Sequence, residues 1–207
     1  FGVMRVVNVA HGEFFMLGAV LAWAVAQAVP SAPLGFVAAL VICPVPVGAL
    51  AYAIDAGLLR RLKHDPEATI VTTIGLAYIL QQGALSLFGP DARPVEAPFT
   101  LRLQLPWFGY SGYKLFVVVA AALVLLAVWW VMTRSRAGLV MRATQIDRTT
   151  ARAFGINVDR VHAGTFALGA GLAAVAAVLI VPIQQAHYLM GHDPLRLSFI
   201  VVIIGRQ

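Results

Sequence analysis

Three residues near the start of the chain have the types and spacing to do chemistry. Asn8, His11 and Glu13 stand in the stretch NVAHGEFFMLGA and run straight into apolar sequence. A histidine and a carboxylate two positions apart superficially match the H-x-E of zinc deaminases. That site also needs a P-C-x-x-C partner, and Cys43 is the one cysteine here. No H-E-x-x-H occurs, and His64, His162, His187 and His192 show no metal-ligand spacing. Neither a G-x-S-x-G nucleophile motif nor a Walker A loop is present, so no covalent chemistry, metal or ATP site is expected in this chain. Two compatible roles remain for the trio. Asn8 could cap a helix, with Glu13 in its first turn near the positive end of the helix dipole. Alternatively the groups lie at depth in a membrane. Ionisable side chains there line polar pathways or pair with one another. Gly12 would permit a break that turns backbone N–H groups toward a cavity. Asn8, His11, Gly12 and Glu13 are therefore the candidates for a translocation path or its gate.

The medium around these residues follows from composition. The chain is 60% hydrophobic and 12% charged, with a mean hydropathy of +0.85. Soluble domains are about half apolar and a quarter charged, so the bilayer is the natural solvent. A net charge of +6 invites a nucleic-acid partner. The basic residues instead cluster in short loops between apolar runs, which is how membrane topology is set. Cys43 excludes an internal disulfide and reads as a small buried residue. The chain begins without Met and stops inside LSFIVVIIGRQ, which reads as a fragment lacking sequence at both ends.

Crossing hydrocarbon takes about 20 mostly apolar residues as a helix. Five spans are expected, over residues 14–29, 34–54, 69–88, 115–132 and 161–181, with a cut sixth run at 197–204 and the tail of an earlier helix at 1–10. The fold class is thus an all-α polytopic transmembrane helix bundle, one domain over 1–207. Arg60, Arg61 and Lys63 follow the second span. Arg134, Arg136, Arg142, Arg148, Arg152 and Arg160 follow the fourth. Both loops belong on the cytoplasmic side, which leaves 89–113 outside. There FTLRLQL alternates apolar and polar residues without a miss, predicting a strand of a small extracytoplasmic hairpin with WFGYSGY as its return. Trp107, Tyr110 and Tyr113 suit the headgroup region.

In the long inner loop, Thr144 and Asp147 have capping-box spacing, predicting a short helix over 145–154 that ends at Gly155. Asp159 could cap the next span. That span is rich in small residues, and Gly169, Ala173 and Ala177 lie one turn apart, a pattern for close helix packing.

The stretch FGVMRVVNVAHGEFFMLGA resembles the signature of the branched-chain amino-acid ABC-transporter permeases, a family that includes urea-type permeases. Their motif is close to N-F-A-H-G-E; Val9 replaces the usual aromatic. The second likeness lies in SRAGLVMRATQIDRTTARAFGINVDRVHAG and the glycine- and alanine-rich sequence after it. Arg136, Gly138, Arg142, Ala143, Asp147, Ala151, Gly155, Ile156 and Asn157 fit the family pattern of R-x-G, R-A and a run ending A-x-x-x-G-I-N. After Gly205 the family continues with GG-x-GS, where this chain has Arg206 and Gln207. The resemblance implies a permease subunit of a bacterial-type cytoplasmic (inner) membrane, paired with a second homologous permease subunit. Cytoplasmic ATPase subunits would use the ATP, and an extracytoplasmic substrate-binding protein would deliver hydrophobic amino acids. It places ATPase coupling at Arg142, Asp147, Ala151, Gly155, Ile156 and Asn157. Urea or short amides are the alternative cargo. An ion-coupled secondary transporter would need paired acids inside the spans, whereas Asp55 and Glu67 fall at span ends.

Overall fold

The computed structural model describes residues 8–62, 65–104 and 109–204. Among the described residues, nine α-helices, one 3-10 turn (Leu59–Leu62) and one hairpin follow: α1 (His11–Ala28), α2 (Ala32–Ile42), α3 (Pro44–Gly57), α4 (Pro66–Phe88), β1 (Arg102–Gln104), β2 (Gly109–Ser111), α5 (Gly112–Arg134), α6 (Arg136–Ile146), α7 (Arg148–Ala153), α8 (Val158–Gln184) and α9 (His192–Ile204). Four helical stretches among the described residues are long and apolar enough to cross a membrane: Ala32–Leu62, Glu67–Phe88, Gly112–Arg134 and Val158–Gln184. The protein is a multi-pass membrane helix bundle. The first expected span, α1, has only 18 residues, and Phe14, Met16 and Ala19 on it are fully buried.

The expected second span is divided at Cys43. Pro44 has no N–H to give and its ring crowds the preceding turn, so α2 ends at Ile42 and α3 starts again at Pro44. Cys43 keeps helical angles between them and is buried, as its apolar setting implied.

Small residues set the packing. Helix α8 runs antiparallel to α3: a Cβ on Gly48 would stand 3.2 Å from the Ala167 carbonyl oxygen, and Asp55 meets His162 nearer the start of α8. Helix α1 lies parallel to α8. Phe14 meets Phe166 edge to face at 5.6 Å, Gly18 faces Ala174, and Ala22 clusters with Val178 and Leu179. The deepest contact on α8 therefore passes through Ala170, Ala174 and Ala177. Gly169 and Ala173 flank that stripe. Helix α5 is peripheral: none of its most apolar stretch is fully buried, Val117 and Ala120 rest against the core, and Leu123, Leu126, Trp129 and Trp130 turn outward as a lipid-facing helix requires.

The hairpin forms, shorter than the alternation suggested. Arg102 pairs Ser111, Leu103 pairs Tyr110 and Gln104 pairs Gly109 in antiparallel register. Trp107 lies outside the described residues. Tyr113 is not a headgroup anchor. It starts α5 and is buried among Phe36, Phe99 and Phe116, its hydroxyl donating to the Leu179 carbonyl at 2.8 Å. A buried phenol needs such an acceptor. Before the hairpin, Arg93 and Ala186 exchange both backbone hydrogen bonds, at 2.7 and 2.8 Å, and the Arg93 guanidinium lies 4.9 Å from the Trp23 ring. The loop after α4 is thereby tied to the segment between α8 and α9. The arginine-rich connections gather at the other end, which the positive-inside bias marks as cytoplasmic.

Candidate functional site

Helix α1 begins in the middle of the bundle. A Cβ on Gly169 would stand 3.5 Å from His11 Cε1, and Gly169 lies near the middle of the 27-residue α8. Asn8–Ala10 form a turn before α1, and the rest of the helix tail expected over 1–10 lies outside the described residues. The Asn8 carbonyl accepts the His11 N–H at 3.4 Å, and Asn8 Oδ1 accepts the Ala10 N–H at 3.0 Å. Asn8 thus makes a local turn rather than a helix cap, because it sits too early to reach the first-turn N–H groups; the N-cap position is Ala10. Thr73 of α4 steadies the turn, accepting the Val9 N–H at 3.3 Å.

A second helix starts against the first. Gly191, just before α9, packs so closely on Gly12 that a Cβ on either would overlap the other's carbonyl oxygen. At the next residue, His192 Nε2 lies 3.2 Å from Gln81 Nε2 of α4. His11 and Gly12 border an open cavity of about 380 Å³ between α1, α8 and α9, with Phe15, Ala173 and Ile180 on its wall. Glu13 points elsewhere along the helix, on the stripe continued by Met16 and Val20, which packs on Ala84 of α4. Its side chain is 4% exposed, and Oε2 has no hydrogen-bond partner among the described residues. The structure therefore splits the four candidates. His11 and Gly12 face the cavity, Glu13 lies toward α4, and Asn8 holds the turn beneath.

At the arginine-rich end, the helix expected over 145–154 is divided between α6 and α7. Thr144 belongs to α6 and donates to the Met141 carbonyl at 2.8 Å, so it does not form a capping box. Asp147 takes an extended conformation between α6 and α7 and caps α7 by itself. It accepts the Thr149 and Thr150 N–H groups at 2.8 and 3.1 Å, and the Thr150 hydroxyl as well. The Thr150 hydroxyl first, then the backbone N–H groups of Thr150 and Thr149, hold the Asp147 carboxyl below its ordinary range. Gly155 stands at φ +79°, and Ile156 N–H returns to the Ala151 carbonyl at 3.1 Å. The cap of α8 is Asn157, whose Oδ1 accepts the Arg160 N–H at 3.1 Å, and not Asp159. Asp159 instead pairs with Arg60 at 3.0 Å and Arg152 at 3.5 Å, tying α7 and α8 to the chain after α3. Arg142 lies along α6, its Nε donating to the Gly138 carbonyl at 3.4 Å, and Ala151 is buried beneath α7.

Among the described residues, no three His, Cys, Asp or Glu side chains gather as metal ligands. The family described as "Branched-chain amino acid transport system / permease component" matches residues 1–207. The chain belongs to this family. It is similar to the high-affinity branched-chain amino acid transport system permease protein BraD of Pseudomonas aeruginosa, 28% identical over 194 residues that cover 87% of this chain and 62% of BraD. Permease protein LivH of Escherichia coli K12 is 29% identical over 199 residues, 87% of this chain and 62% of LivH. A probable LivH of Methanocaldococcus jannaschii is 23% identical over 185 residues, 87% of this chain and 58% of that protein. The chain spans about 62% of the length of the first two relatives. No solved structure matches it.

In this chain, sequence reasoning missed two kinds of residue. Ile146 and Phe154, flanking α7, are 87% and 81% exposed at the arginine-rich end. These two large apolar groups stand open beside a capped helix, and the predicted Asp147, Gly155 and Asn157 shape the turns on either side of it. The other omission is the buried pair Asp55–His162, 3.0 Å apart and joining α3 to α8. Its partners lie far apart in sequence, so no local spacing announces it.

Proposed function

We propose that this chain is a membrane-spanning permease subunit of an ATP-binding-cassette importer that translocates branched-chain amino acids delivered by an external binding protein. One observation carries the proposal: α1 and α9 begin against each other at Gly12 and Gly191, deep in the bundle and beside a cavity. Helices broken at depth turn backbone donors toward a path, which an unbroken span cannot do. His11 and Gly12 line that path, Glu13 supplies a buried carboxylate next to it, and Asn8 fixes the turn from which α1 springs. The phenyl and aliphatic groups on the cavity wall suit a hydrophobic amino acid better than urea or a short amide.

The relatives' printed names support the cargo and the transport-system context. A homologous second permease subunit completes the membrane part, in the cytoplasmic membrane of a bacterial-type cell. ATP is used by cytoplasmic partner subunits, which dock at the α6–α7 turn. There Arg142, Asp147, Ala151, Gly155, Ile156 and Asn157 build the element, and Ile146 and Phe154 provide its contact surface.

The test is ATP-driven leucine uptake by the complete transporter in proteoliposomes. Replacing His11 with Ala should lower uptake roughly tenfold while the subunits still co-purify. Uptake at the parental rate would remove His11 from the path.

A further inference from the structure

Among the described residues, α3 and α8 share more contact than any other two helices. Small residues make most of it. A Cβ on Gly48 would stand 3.2 Å from the Ala167 carbonyl oxygen, a Cβ on Gly171 would stand 3.5 Å from the Pro44 carbonyl oxygen, and Ala51 clusters with Ala170. Small side chains let two helices approach closely, but they raise only shallow ridges. Such a seam fixes the distance between the helices and does little to stop one sliding along the other.

Polar side chains at the arginine-rich end supply the stop. Asp159 and His162 lie one turn apart near the start of α8. Across the antiparallel seam they meet Arg60, just after α3, and Asp55, within it. Arg60 Nη2 stands 3.0 Å from Asp159 Oδ2, and His162 Nδ1 stands 3.0 Å from Asp55 Oδ1. Acid and base thus stand in opposite order on the two sides. Sliding α8 outward by a turn would set Asp159 against Asp55, two carboxylates. Sliding it inward would set His162 against Arg60 and leave Asp55 facing the apolar turn at Phe166. Asp55 is 2% exposed, and a buried carboxylate robbed of its hydrogen-bond partner is costly, whereas an exposed pair such as Arg60–Asp159 contributes little alone. Fixing registry is the best-attested use of buried polar pairs. Arg152 of α7 reaches the same Asp159 carboxylate, 3.5 Å from Oδ1, so α7 hangs from the point where the register is set.

We propose that Asp55 and His162 are positioning residues for transport: they lock α3 to α8 as one strut, which keeps a single register throughout the cycle. Arg152 passes a movement of α7 to the strut through Asp159. The strut carries it without slippage to Gly169 and Ala173, beside His11 and the cavity. The inference rests on the permease function proposed above and adds the route by which a push on α7 reaches the path.

The experiment uses the complete transporter with its binding protein in proteoliposomes, with labelled leucine as the probe. Asp55→Ala and His162→Ala should each lower ATP-driven uptake roughly tenfold. ATP hydrolysis, the leucine concentration for half-maximal uptake and co-purification of the subunits should stay at parental values. A second variant exchanges the polar contact for a covalent one: Asp55→Cys with His162→Cys, in a chain also carrying Cys43→Ala, bridged by a short bis-thiosulfonate. Bridging should restore uptake, and reductant should remove it again. Parental uptake by both alanine variants would overturn the strut. So would a bridged variant that stays inactive, since helices that must slide are blocked by a covalent tie. Alanine variants that no longer co-purify would overturn it too, reducing the pair to a contact needed for assembly. A parental transporter without ATP-driven leucine uptake would end the permease function itself. An active parent with unaffected variants would end only the strut.

Discussion

The contacts of α1 at the centre of the bundle and the turn leading from α7 into α8 both depend on glycine, for opposite reasons. At the centre, Gly12 and Gly18 are required because another backbone occupies the place of a side chain: the Gly191 carbonyl in one case, Ala174 in the other. At the cytoplasmic end, a Cβ on Gly155 would meet nothing within 4 Å, yet its φ of +79° is one that side-chain-bearing residues avoid. The centre is set by volume and the end by backbone angle and polar caps. One residue type thus marks a rigid, close-packed region and a hinge-like turn. Substitutions that add bulk separate the two.

Gly18→Leu should have the largest effect. A leucine there would displace α1 from Ala174, and overpacking costs about 1–3 kcal/mol or more. The bundle should lose thermal stability and co-purification together, as read by size-exclusion chromatography of detergent extracts. A variant that elutes and melts like the parent would show that α1 and α8 are not held by that contact. Gly155→Val comes next, at about 1–2 kcal/mol for forcing a side chain into the left-handed region. The complex should still assemble. ATP hydrolysis should persist while uptake falls, and Gly155→Asn should be milder because asparagine tolerates that conformation. Uptake and hydrolysis falling in proportion would break the contrast, since the end would then behave like the centre.

The smallest effect concerns Asp147. Hydrogen bonds from Thr150 and Thr149 lower its pKa from an ordinary 3.8 in the folded chain. The cap's contribution is therefore whole at and above the ordinary carboxylate range, and it is lost as pH falls through the lowered folded value. Amide exchange at Thr149 and Thr150, corrected for its intrinsic pH dependence, should keep its protection from pH 7 down through that ordinary range and lose it only below. Protection that fades already above the ordinary value would show that the carboxylate does not hold α7.

Much of this was legible from the residues alone. Hydropathy marked each membrane-crossing stretch, the alternation in FTLRLQL marked the hairpin, and Gly155 announced its left-handed turn. These signals are local, carried by neighbours in sequence. Thr144 misled because capping-box spacing also occurs inside a continuing helix, where a threonine hydroxyl can bond back to its own turn. Tyr113 misled because an aromatic beside an outer loop can equally well turn inward once a carbonyl such as that of Leu179 awaits it. The meeting of Gly12 with Gly191 and the pairing of Asp55 with His162 arise only when distant helices come together. The family motif pointed to His11 and Glu13, but which neighbour each faces is fixed by the rotation of α1 against α4 and α8.

The two backbone hydrogen bonds joining Arg93 to Ala186 make a tether. From Ala186 to Gly191 the chain has five steps, which reach about 17 Å even fully drawn out. Gly191 is the wedge against Gly12. A displacement of the loop after α4 is therefore handed, within a few residues, to the junction at the centre of the bundle.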